Sequence, residues 1–130
     1  MKLLNVLLLL LMSSCSSVET KSDKTHQLSR ATDLYSCHYF FKLTGESTSD
    51  LLLNSRFIQI SDSLLLQARG IALEAGGESL NQKVSKAGKL KFERFMNQTQ
   101  KIISTAIRNQ HFMDFSKSCA DQSGVILNAG

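Results

Sequence analysis

Three cysteines (Cys15, Cys37, Cys119) and three histidines (His26, His38, His111) are the side chains of this 130-residue chain best suited to nucleophilic, redox or metal chemistry. Cys37 and His38 are neighbours within "YSCHYF". Covalent haem attachment requires Cys-x-x-Cys-His. Here "LYSCH" puts Leu34 where the first cysteine belongs, so the motif is broken. A closed zinc site needs four ligands meeting about 2.3 Å from one ion. On a helix Cys37 and His38 diverge by about 100°, and His111 lies about 12 Å along the axis from Cys119, so this set does not converge. The same divergence deprives Cys37 of an adjacent base, and a thiol nucleophile also needs an orienting third group. Nor does the chain carry a Gly-rich phosphate loop, a paired-carboxylate motif or His-Glu-x-x-His. The residues therefore point to no catalytic site, no metal and no cofactor, and the expectation is a non-enzymatic protein.

The remaining cysteine has a different setting. "MKLLNVLLLLLMSSC" opens with Lys2, continues as an apolar run from Leu3 to Met12 interrupted only by Asn5, and ends in Ser13, Ser14 and Cys15. Ten apolar residues make about 15 Å of helix, half a bilayer core, which is short for a transmembrane span and right for a secretory signal peptide. Met12-Ser13-Ser14-Cys15 resembles the lipobox of bacterial lipoproteins, with Met12 where leucine is usual. The resemblance covers residues 1–15 alone. It implies removal of a signal peptide over 1–14 and lipidation of Cys15 by a diacylglyceryl thioether and an N-terminal acyl chain. By the family's sorting pattern, Ser16 after the cysteine implies the outer membrane, facing the periplasm. Several acyl chains anchor stably where one is marginal. Residues 15–27 then read as a lipidated tether, since "SSVETKSDKTHQ" is polar and aperiodic.

With Cys15 taken by lipid, Cys37 and Cys119 are left as a pair in an oxidising compartment, where disulfides persist. Their bridge would close a loop of about 80 residues and contribute roughly 4–5 kcal/mol in the chain-entropy account.

Helices must position that pair. The chain lacks proline, the commonest helix breaker, and apolar residues recur at helical spacing from Leu28 onward. In the first segment, about 28–44, Leu34, Cys37 and Phe41 share a face with Ala31, while Tyr35, Tyr39 and Phe40 form a second apolar surface; Gly45 is the expected stop. The second opens at Ser49 or Asp50 as N-cap and carries Leu53, Phe57, Ile60, Leu64, Ala68, Ile71 and Ala75. Leu52, Ile58, Leu65, Leu66 and Leu73 add apolar mass around it, which predicts a central helix. Gly70 within it would allow a neighbour to approach closely, and Gly76-Gly77 ends it. The third, about 79–111, has an apolar stripe of Val84, Gly88, Phe92, Phe95, Met96, Thr99, Ile102, Ile103 and Ala106. Lys83, Lys86, Lys91, Arg94, Lys101 and Arg108 lie opposite it, interrupted by Leu90. A short helix through Phe115 and Cys119 and an apolar end, Val125-Ile126-Leu127, complete the chain.

The expected fold is all-α: a small antiparallel bundle of three long helices plus a short C-terminal helix over 28–130, closed by the Cys37–Cys119 bridge. The formal net charge of +4 includes Lys2 of the leader, and no aromatic residues interleave the basic face, so nucleic acid is not an expected partner. Three functions fit these readings. The first is an envelope lipoprotein, held to the membrane by its anchor, that binds a protein partner or supports an envelope assembly through surplus apolar surface. The second is a small-ligand or lipid carrier with Tyr39, Phe40, Phe92 and Phe95 around an internal cavity. The third is a module contacting anionic phospholipid or envelope polymer through the basic face.

Overall fold

The computed structural model describes the backbone of residues 2–123 and the side chains of residues 23–122. The leader's side chains, Cys15 among them, and Val125-Ile126-Leu127 lie outside the described residues. The described chain is helical in three elements, α1 (Lys2–Glu46), α2 (Leu51–Gln100) and α3 (Thr105–Ser123), with no strand among the described residues. The backbone of α1 is helical through 16–27, which composition reads as a flexible tether, and the side chains of 23–27 are exposed.

Two arms make up α2. Its backbone leaves the helical region at Gly76 (φ −169°, ψ 19°) and Gly77 (φ 74°, ψ −167°). The Gly77 conformation is one that side-chain-bearing residues avoid, so the reversal depends on glycine there. Contacts with α1 show the reversal directly. Along arm 51–75 the partners on α1 descend, from Phe57 against Phe41 to Ser61 against His38. Along arm 78–100 they ascend, from Asn81 against Tyr35 to Phe95 against Phe40. The three long helices expected from sequence are thus α1 and the two arms. The short C-terminal helix α3 returns along α1, and the bundle is closed by the Cys37–Cys119 disulfide, with Cα atoms 5.5 Å apart.

The helix ends follow local chemistry. Asp50 caps α2, its carboxylate accepting from the amides of Leu52 (2.9 Å) and Leu53 (3.2 Å). The Asn54 side-chain amide donates to the Gly45 carbonyl at 2.6 Å, satisfying an acceptor at the end of α1.

Two expectations are corrected by packing. The central helix is α1, not the second segment. Six of the twelve core hydrophobics (Ala31, Leu34, Tyr35, Cys37, Phe40, Phe41) lie on α1, and both of its apolar surfaces are covered. Fully burying a side chain such as Phe41, Leu34 or Leu64 contributes about 1.5–3 kcal/mol. The close-approach glycine is Gly88, not Gly70. Gly70 is exposed with nothing within 4 Å of where a Cβ would sit. A Cβ at Gly88 would run into the Tyr35 Cβ and come within 2.9 Å of the Thr32 carbonyl oxygen. A third correction concerns length: the helix expected over 79–111 stops at Gln100. The break leaves Ile103 on the surface, and Ala106 is exposed at the start of α3.

Candidate functional site

Cys37 and Cys119 are both buried, and their bond ties α3 to the C-terminal part of α1. His38 turns away from that bond, as helix geometry requires, and packs into the seam between α1 and arm 51–75. Ser61 meets it there. The Ser61 hydroxyl donates to the His38 carbonyl at 3.0 Å. Its single proton being so used, the His38 Nδ1–H donates to the Ser61 carbonyl (2.9 Å) and Oγ (2.8 Å). His38 and Ser61 are both buried, and the pair meets the needs of the Ser61 hydroxyl and of His38 Nδ1. This is a core hydrogen-bond arrangement, not an exposed nucleophile with a base.

Burial lowers the His38 pKa below the ordinary histidine value, and the positive charge of Lys42 adds to this; the Ser61 hydrogen bond and Asp62 oppose it. A histidine with a depressed folded-state pKa binds fewer protons folded than unfolded near and below pH 6.5. Its contribution is intact above that value and is lost as pH falls through the folded-state pKa. Urea midpoints should therefore drop as pH is lowered below about 6.5, and the drop should be smaller in His38→Gln. Equal drops in both chains would exclude His38 as the source.

His111 sits on α3, where its ring stacks on Phe95 at 4.8 Å between centroids. Thr99 donates its hydroxyl proton to the Phe95 carbonyl (2.7 Å), leaving Oγ1 to accept from His111 Nδ1 at 2.7 Å. His26 is exposed near the start of the described side chains. Among the described residues no group of three or more His, Cys, Asp or Glu side chains is placed to hold a metal ion.

The four aromatic residues set around an expected cavity pack on one another. Tyr39 stacks with Phe92 (6.3 Å), and Phe40 meets Phe95 edge-on (6.1 Å). From α3, Phe115 stacks on Phe95 at 4.1 Å and Phe112 joins the cluster. An open cavity of about 240 Å³ lies elsewhere, lined by His26, Ser29, Arg30, Asp33 and Gln122.

The six cations expected on one face divide. Lys83, Lys86, Arg94 and Lys101 are exposed on arm 78–100 and its C-cap. Lys91 bridges to Asp33 on α1. Arg108 lies beyond the break, on α3, and donates to Thr105 Oγ1 at 3.4 Å.

Sequence periodicity does not anticipate the apolar residues left outside. Leu51 and Leu52 are each 84% exposed and Ile103 is 97% exposed, with Leu53, Leu43 and Ile107 also on the surface. All six fall at one end of the bundle, where α1 stops, α2 starts and the break before α3 lies. The reversal at Gly76-Gly77 marks the other end. A signal was available in the run Leu51-Leu52-Leu53: three successive residues on a helix span 200°, so one neighbouring helix cannot cover them all. Buried Asn81, which accepts from the Tyr35 hydroxyl, was likewise readable as a polar member of the stripe through Val84 and Gly88.

Among the described residues no helix is long and apolar enough to cross a membrane. Comparison of the chain with family models, curated proteins and solved structures finds no match to any of the three.

Proposed function

We propose that this is a non-enzymatic lipoprotein of the bacterial envelope, anchored in the outer membrane through Cys15, that presents the apolar end of its bundle to a protein partner in the periplasm. The observation that carries the partner reading is that end itself. Leu51 and Leu52 at the start of α2 and Ile103 in the break before α3 are almost fully exposed, while large rings fill the core. Contiguous exposed apolar surface on a folded domain marks an interaction site. The anchor reading is supported by Met12-Ser13-Ser14-Cys15 after an apolar leader. The carrier alternative has less support, because Tyr39, Phe40, Phe92 and Phe95 spend their surfaces on each other.

The test is site-directed photo-crosslinking in the native envelope, with the probe at Leu52 or Ile103 and, as control, at exposed Gln59. The expected result is one discrete adduct from the first two positions and none from Gln59. The adduct should disappear in Leu51→Asp, and the protein should leave the membrane fraction in Cys15→Ala. Adducts of equal pattern from all three positions would remove the partner reading, and membrane retention of Cys15→Ala would remove the anchor.

A further inference from the structure

Four cations of the expected face remain together on arm 78–100 and its C-cap as a ridge, bordered by exposed Glu93 and Lys89. Counting 100° per residue, Lys83, Lys86, Arg94 and Lys101 fall within about 80° of one another on the outer face. They extend over about 27 Å of helix. No described acidic side chain lies within 4.0 Å of any of these cationic groups; Lys91, off to the side, is the one that reaches Asp33. Leu90 lies at the centre of the ridge and is 52% exposed. The face therefore combines unpaired positive charge with one projecting apolar side chain.

We infer that this ridge is a contact surface for anionic phospholipid, with the four cations on head-group phosphates and Leu90 entering the interface between them. Charge complementarity selects an anionic partner. The projecting leucine selects a lipid surface over a soluble polyanion, since a polyanion offers nothing apolar for Leu90 to enter, whereas basic helical faces with apolar residues bind the interfacial zone of anionic membranes. The inference uses the anchor reading only for proximity: a lipid on Cys15 holds the ridge near a bilayer and raises its effective concentration there. Such contact lays the bundle along the membrane and turns its apolar end sideways, toward proteins in the same leaflet.

The chain has no tryptophan, so Leu90→Trp introduces a unique reporter and Leu66→Trp, at another exposed leucine on arm 51–75, a control. Each full-length chain is mixed with vesicles of phosphatidylcholine alone or with about one third phosphatidylglycerol. Co-flotation with the neutral vesicles reports the anchor. Emission reports the ridge. Leu90→Trp should shift to the blue on anionic vesicles only, and the shift should be abolished by about 0.5 M salt, where screening is short-ranged. Adding Lys86→Glu and Arg94→Glu should weaken anionic-vesicle partitioning at least about tenfold, about 1 kcal/mol being expected per basic residue near such a surface. Leu66→Trp should not shift. Identical Leu90→Trp emission on both vesicle types, a shift that survives the two reversals, or equal shifts from both reporters would each overturn the inference. Flotation with neutral vesicles that fails while the anionic shift persists would instead count against the anchor and leave the ridge standing.

Discussion

Replacing Cys37 and Cys119 together with alanine should lower the stability of the domain by about 4–5 kcal/mol, the largest loss expected from removing a single contact in this chain. The two residues are 82 apart in sequence. A bridge over that span removes a large share of the unfolded chain's freedom, and the estimate follows from loop length alone. Structure adds a local consequence. α3 is held by Cys119, by Phe112 and Phe115 against Phe40 and Phe95, and by the His111–Thr99 and Gln122–Asp33 hydrogen bonds. Without the bridge these contacts must hold α3 unaided. For a domain of about 100 residues the loss corresponds to a melting point lower by roughly 20 °C. Limited proteolysis should then cut first at the exposed break 101–104. A double variant whose denaturant midpoint matches that of the oxidised protein would show that the bridge is incidental to stability.

Gly88→Ala is expected to cost about 3 kcal/mol, the upper part of the ordinary range for overpacking a filled core. The added methyl meets the Tyr35 Cβ, the Thr32 carbonyl (2.9 Å) and the Ser36 amide nitrogen (3.1 Å). Backbone on two sides cannot rotate away as a long side chain can. Arm 78–100 would have to move off α1, loosening the Tyr35–Asn81 hydrogen bond and the Lys91–Asp33 pair. Gly70→Ala supplies the opposite sign from the same chemical change. Gly70 is helical, exposed and faces open space, so alanine there should add up to about 1 kcal/mol through helix propensity. Denaturant unfolding of the two variants beside the parent measures both. Destabilisation of similar size at both glycines would contradict the packing assigned to arm 78–100.

Much of this fold was legible in the sequence because few features compete with the helical period. There is no proline, and the Gly76-Gly77 and Asp50 signals fall where helices turn and start. The pairing of Cys37 with Cys119 followed from their faces and from the separate setting of Cys15. Centrality is not legible, because apolar content around a helix does not say how much of it is covered. The second segment has more leucines, yet α1 is the helix that both arms and α3 pack against, and Leu51, Leu52 and Leu66 stay outside. The end of the third helix is masked in the sequence because Ile102, Ile103 and Ala106 continue the period past Gln100, where the chain nevertheless breaks and turns back. Sequence does not tell Gly88 from Gly70 as the close-approach glycine because close approach is a property of two helices taken together. The basic face loses Lys91 for a related reason, since a wheel gives angles on one helix but not which neighbour supplies a carboxylate, and it loses Arg108 because the helix ends at Gln100.

The bridge also bears on how the chain must be made. Its sulfurs are held at bonding distance where α3 packs on α1, so the folded bundle favours this pair. Before that, the extended chain has a competitor. Cys15 is only 22 residues from Cys37, against 82 for Cys119, and loop-closure scaling favours the shorter ring by roughly sevenfold. If Cys15 carries its lipid before the domain folds, the thioether acts as a protecting group in the synthetic chemist's sense. It leaves two thiols with one way to pair, and the anchor then guards the correctness of the bridge as well as the address of the protein.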